Sequence, residues 1–119
     1  MAYYKRKLSG STNGLGIKIA GTGTGDADTI HTAIAGTTAG TFDEIWLFAY
    51  NGHSGTVLLT IEFGAATAPD QNIVMTLAAK SGLQVVVPGF ILQNGAVVKA
   101  FAATTAVVVL YGFVNTFTD

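Results

Sequence analysis

The stretch Glu44-Ile45-Trp46-Leu47-Phe48-Ala49-Tyr50 decides the fold class. Successive side chains of a strand point to opposite faces, so Ile45, Leu47 and Ala49 line one face and Trp46, Phe48 and Tyr50 the other. Both faces are apolar, and the run is bounded by Asp43 and by the turn residues Asn51-Gly52-His53-Ser54-Gly55. A short apolar run rich in aromatic residues and closed by turn signals reads as a buried strand. Immediately downstream, Thr56–Phe63 alternates again, with Val57, Leu59, Ile61 and Phe63 inward and Thr56, Thr60 and Glu62 outward beside Leu58. Two alternating runs across a short Gly-containing turn predict a β-hairpin.

The same pattern continues in both directions. Asn72–Ala78, Leu83–Val87 and Phe90–Gln93 read as strands, with Pro88 marking an edge, a bend or a bulge because proline has no N–H to give a ladder. Asn94-Gly95 predicts a tight hairpin turn with positive φ into Ala96–Ala102. Ala106–Phe117 closes the series, and Val107, Val108 and Val109 suit a buried strand. Upstream, Leu15–Ala20 and Asp28–Ala35 are separated by Gly/Thr loops. Long helical patterns are missing. The expected fold is all-β, an antiparallel β-sandwich of about eight strands, jelly-roll or Greek-key-like. Residues 15–119 form that domain, and residues 1–14 a basic N-terminal arm.

Length and composition bound the rest. A chain of 119 residues makes one domain. Hydrophobic residues are 50% and charged residues 11%, which excludes intrinsic disorder. Cysteine is absent, which removes disulfides, thiolate metal sites and cysteine nucleophiles. Lys5, Arg6 and Lys7 supply half of the six basic residues, and the remaining three lysines face seven acids. The arm is therefore basic and the body acidic. Leu8 is followed by Ser9-Gly10-Ser11-Thr12-Asn13-Gly14, not by the apolar run of a signal peptide. Ala106–Val114 falls far short of a bilayer-spanning helix. The expectation is a chain made and kept soluble in the cytoplasm, with no membrane partner and no nucleic acid.

No reactive constellation emerges. His53-Ser54 is a loop-tip pair without an orienting acid. Asp43 and Glu44 are adjacent, and alternation throws them to opposite faces. Gly23-Thr24-Gly25-Asp26-Ala27-Asp28 has spaced acids, but Thr37 stands where a calcium loop needs its final glutamate. Gly21-Thr22-Gly23-Thr24-Gly25 lacks the spacing and following helix of a phosphate loop. The expectation is no catalytic residue, metal or cofactor. What stands out is surplus: a small two-layer sandwich needs one apolar face per strand. Trp46, Phe48 and Tyr50 are thus candidates for an oligomer or partner interface, since such interfaces favour aromatics and exclude charge. Tyr3, Tyr4, Lys5, Arg6 and Lys7 are candidates for a partner-binding arm. Trp46, Tyr50, Asn51 and His53 could instead form a saccharide platform.

The chain resembles small virion structural proteins of tailed bacteriophages that decorate or cement a capsid. The resemblance rests on the basic start with Ser9–Gly14, on Phe42–Asn51, Thr60–Gly64 and Thr67–Asp70, and on Val87–Leu92 and Tyr111–Asn115. It implies a β-sandwich subunit, commonly a homotrimer, on the outer surface of an icosahedral shell. There it would bind the major capsid protein and brace it against internal DNA pressure. A carbohydrate-binding receptor or a tail or head-fibre module of a virion is the alternative.

Overall fold

The computed structural model describes residues 2–119. Nine strands follow in order: β1 (Ala2–Lys7), β2 (Ile17–Lys18), β3 (Asp28–Thr32), β4 (Phe42–Asn51), β5 (Val57–Gly64), β6 (Asn72–Leu77), β7 (Gln84–Leu92), β8 (Val97–Ala102) and β9 (Val108–Thr118), with one short 3-10 turn at Thr24–Asp26. Every ladder is antiparallel. The first sheet runs β1–β9–β4–β7, with β2 also paired to β9, and the second runs β3–β8–β5–β6. Packed together they make an all-β sandwich. Its core takes Ile45, Leu47, Val87, Leu110 and Val114 from the first sheet and Ile30, Leu59, Ile61, Val98 and Ala100 from the second. Each such valine, leucine or isoleucine contributes about 1.5–3 kcal/mol on burial. No helix among the described residues is long and apolar enough to cross a membrane.

The pairing is nested. β5 pairs with β6, β4 with β7, β3 with β8 and β2 with β9. The chain is thus one long hairpin, rolled up so that β4 also lies against β9 and β5 against β8. This corrects two local expectations. The stretches 44–50 and 56–63 are not a hairpin: β4 sits between β7 and β9, with both edges occupied, and β5 lies in the opposite sheet. The turn between them is an arch that spans the sandwich. Asn51 holds it from inside, its Nδ2 donating to the carbonyls of Gly55 and Leu77 at 3.0 Å each. Asn94 and Gly95 do have positive φ, 62° and 67°. The strands they join, β7 and β8, nevertheless belong to different sheets.

Other readings hold or shift by small amounts. Residues on both sides of Pro88 form one continuous strand, β7, at the edge of the first sheet, with two register shifts against β4. Such bulges are where an edge tolerates proline. Val108 is buried, but Val109 is only half-buried, since alternation turns the odd residues of β9 outward, and Val107, just before the strand, is half-buried against the core. The tail expected over residues 1–14 is, from Ala2 to Lys7, an edge strand docked on its own chain. Met1 lies outside the described residues.

Candidate functional site on the outer face of the first sheet

Residues paired across a ladder share a face. The registers therefore lay out the outer face of the first sheet row by row. Tyr3 pairs with Phe117 and Phe117 with Phe42. Lys5 pairs with Asn115, Asn115 with Glu44 and Glu44 with Ile91. Lys7 pairs with Phe113, Phe113 with Trp46 and Trp46 with Pro88. Tyr111 pairs with Phe48 and Phe48 with Val85, and Lys18 pairs with Val109 and Val109 with Tyr50. Trp46, Phe48 and Tyr50 are brought together here, each half-buried. Tyr3, Val85, Ile91 and Tyr111 are exposed around them.

The centre of this face is fixed. Glu44 Oε1 accepts from Trp46 Nε1 and from Asn115 Nδ2, both at 2.9 Å. Those two donors, Asn115 foremost, hold the Glu44 carboxyl below the usual carboxylate range. The Trp46 ring stacks on Phe113 at 6.2 Å and 14°. On its other side it lies against Gly89, where φ is +84° and a Cβ would come within 2.8 Å of the ring. Glycine is required there twice over, for the backbone angle and for the space. Phe117 contacts both Tyr3 and Phe42, with centroids 4.7 and 4.9 Å away. The ammonium of Lys5 sits 4.2 Å from the Phe113 centroid, a cation–π contact. Three lysines (Lys5, Lys7, Lys18) share the face with one carboxylate, Glu44, a local +2 on a chain of net −1.

The five arm residues divide by function. Tyr3 and Tyr4 are exposed. Lys5 belongs to the aromatic face. Lys7 Nζ donates to the Ser11 carbonyl at 2.8 Å. Arg6 turns inward: its Nε donates to Thr116 Oγ1 at 2.8 Å and its Nη2 lies 3.4 Å from Asp43 Oδ2. What sequence reasoning missed is the site Arg6 reaches. Asp43, 0% exposed, also accepts from Thr116 Oγ1 at 2.7 Å, from the Ile34 amide at 3.2 Å and from His31 Nε2 at 2.6 Å. His31 Nδ1 in turn accepts from the Ser9 amide at 3.0 Å. That second bond assigns the ring proton to Nε2. A bulge between Thr29 and His31 in the β3–β8 register buries both Ile30 and His31. Strict alternation could not foresee that. Burial is the largest influence on the imidazole and lowers its pKa; Asp43 opposes the shift, and Arg6 and Lys7 add to it. With both ring nitrogens committed and 1% exposure, this His–Asp pair is a clamp tying β1, β3, β4 and β9 together.

The remaining sequence candidates are spent on local structure. Asp28 Oδ2 accepts from the Ala20 and Gly21 amides, and Asp26 Oδ1 from those of Thr22 and Gly23. Among the described residues no three His, Cys, Asp or Glu side chains are grouped to hold a metal ion. The suggested saccharide platform does not assemble. Asn51 is buried on the core side of β4, opposite Trp46 and Tyr50, and its Oδ1 accepts from the His53 amide. No protein-family model, curated protein or solved structure matches the chain.

Proposed function

We propose that this protein is a non-enzymatic virion structural subunit, a capsid decoration or cement protein that docks through the outer face of its first sheet. The observation that carries the reading is the pinned aromatic plate of Trp46, Phe113 and Phe117, rimmed by lysines. Tryptophan and tyrosine in such settings dominate interface energies. A side chain already locked in place loses little conformational freedom on binding. The local positive charge fits an acidic protein surface, and the charge-poor remainder of the face fits an interface core.

The strand order supports the same reading. β2–β9–β4–β7 over β3–β8–β5–β6, with nested pairing, supports a jelly-roll reading of the sandwich, an architecture common among capsid proteins. The resemblance to decoration proteins over most of the chain adds the expected partner, the major capsid protein, and the expected homotrimer. A trimer multiplies modest contacts into strong attachment when its geometry matches the lattice.

Cryo-electron microscopy of the parent virion tests the proposal. Density for this chain on the outer shell, with the Trp46 face toward capsid or sister subunits, is expected; density on the tail alone, or none, overturns it. In a pelleting assay with undecorated shells, Trp46→Ala should weaken attachment by about 2 kcal/mol or more while leaving the sandwich folded.

A further inference from the structure

The opposite side of the sandwich carries a second feature that the docking reading does not use. Glu62 points outward from β5, yet it is only 2% exposed. The 3-10 turn and the loop after β5 close over it, leaving a cleft of about 410 Å³ lined by Thr24, Glu62, Ala65, Ala66, Ala96 and Lys99, among others. That volume lies within the range of roughly 300–1,000 Å³ typical of small-molecule sites. The walls are made of small side chains, which is what leaves the room.

The floor is short of donors. Glu62 receives one side-chain hydrogen bond, from Thr24 Oγ1 to Oε2 at 2.8 Å. Lys99 is its register partner on β8, but the two form no ion pair within 4 Å. On the other side Glu62 pairs with Asn72 of β6. Asn72 Oδ1 is the one buried side-chain oxygen or nitrogen among the described residues with no hydrogen-bond partner. Asn72 is not among the residues that line the cleft, so the acceptor facing it is Glu62, and a buried carboxylate with few donors is costly.

We infer that this cleft binds a saccharide. The Glu62 carboxylate calls for a ligand that offers donors, and the choice among donors follows from charge. Lys99 at the wall repels a cationic ligand, and Glu62 at the floor repels an anionic one. Neutral hydroxyl groups satisfy both: they donate to Glu62 and accept from Lys99, while the alanine walls take the C–H face of a sugar ring. The inference is independent of the docking reading, because it concerns the other sheet.

The test is titration of the isotopically labelled full chain with D-glucose, D-galactose, D-mannose, N-acetyl-D-glucosamine and lactose, following backbone amide shifts. L-arginine and inorganic phosphate serve as cationic and anionic arms. The expected result is that at least one sugar moves the amides of residues 62–66 and 96–99 and leaves those around Trp46 in place. Glu62→Gln and Lys99→Ala should each weaken that binding by about tenfold. Ala66→Phe, an exposed-loop change that fills the mouth, should abolish it with the rest of the spectrum unchanged. The inference is overturned if none of the sugars moves these amides, if arginine or phosphate does so instead, or if the sugar response survives all three substitutions.

Discussion

Asp43 and Glu62 are both carboxylates withdrawn from solvent in a mostly apolar sandwich, and they are treated in opposite ways. Asp43 faces the interior edge of the first sheet and gathers donors from Thr116, Ile34, His31 and Arg6. Glu62 faces away from the core and has a single side-chain donor, Thr24. A buried charge is tolerated when the fold supplies its partners. One acid is thus fully employed in holding elements together. The other has one side-chain donor and borders a cleft, as a group proposed to meet a ligand should. The contrast separates scaffold from site without reference to conservation.

Three measurements press on that contrast, from the largest expected effect downward. Asp43→Ala strands His31, Thr116 and Arg6 together and should cost about 3–5 kcal/mol, read from urea denaturation. A loss below about 1 kcal/mol would show that the clamp is dispensable.

The second is a pH series of the same denaturation. The pKa of His31 is lowered in the fold, so below about pH 6.5 the unfolded chain takes up this proton before the folded one. Stability from this group is therefore complete above that pH and falls on acidification, by about 1.4 kcal/mol per pH unit until the folded imidazole also protonates. His31→Gln should flatten that slope. Glu44, whose pKa is also lowered, adds a further loss at more acidic pH, below about 4.5, as its bonds from Asn115 and Trp46 are given up.

The third and smallest concerns Glu62→Met, which keeps the length of the side chain and removes the charge. Replacing an under-satisfied acid by an apolar group should change stability by less than about 1 kcal/mol, and in the favourable direction, as is common when a functional residue is removed. A loss comparable to that of Asp43→Ala would make Glu62 structural and erase the distinction.

The sequence reading reached the fold class because alternation is local. Ile45, Leu47 and Ala49 against Trp46, Phe48 and Tyr50 could be sorted into faces from residue types alone, as could Val57, Leu59 and Ile61. Partners could not. Nothing in residues 44–63 says that β4 is already claimed on both edges by strands some forty and sixty-five residues away, which is about what a rolled hairpin requires. For the same reason the aromatic face was visible as a surplus, but its pinning was not. The hydrogen bond of Asn115 to Glu44 and the approach of Gly89 to Trp46 join residues that sequence leaves far apart. His31 was hidden by a one-residue bulge, and Glu62 by alternation that correctly turned it outward without revealing the loops that cover it.

Trp46 is the only tryptophan in the chain, and it is held at the middle of the first sheet's outer surface. Its intrinsic fluorescence is therefore a built-in, unlabelled gauge of that one side. Anything that settles over the indole will dehydrate it and shift its emission toward the blue, whereas a small molecule lodged beside Glu62 will leave the spectrum unmoved. A single cuvette can thus tell which side of the slab has been occupied.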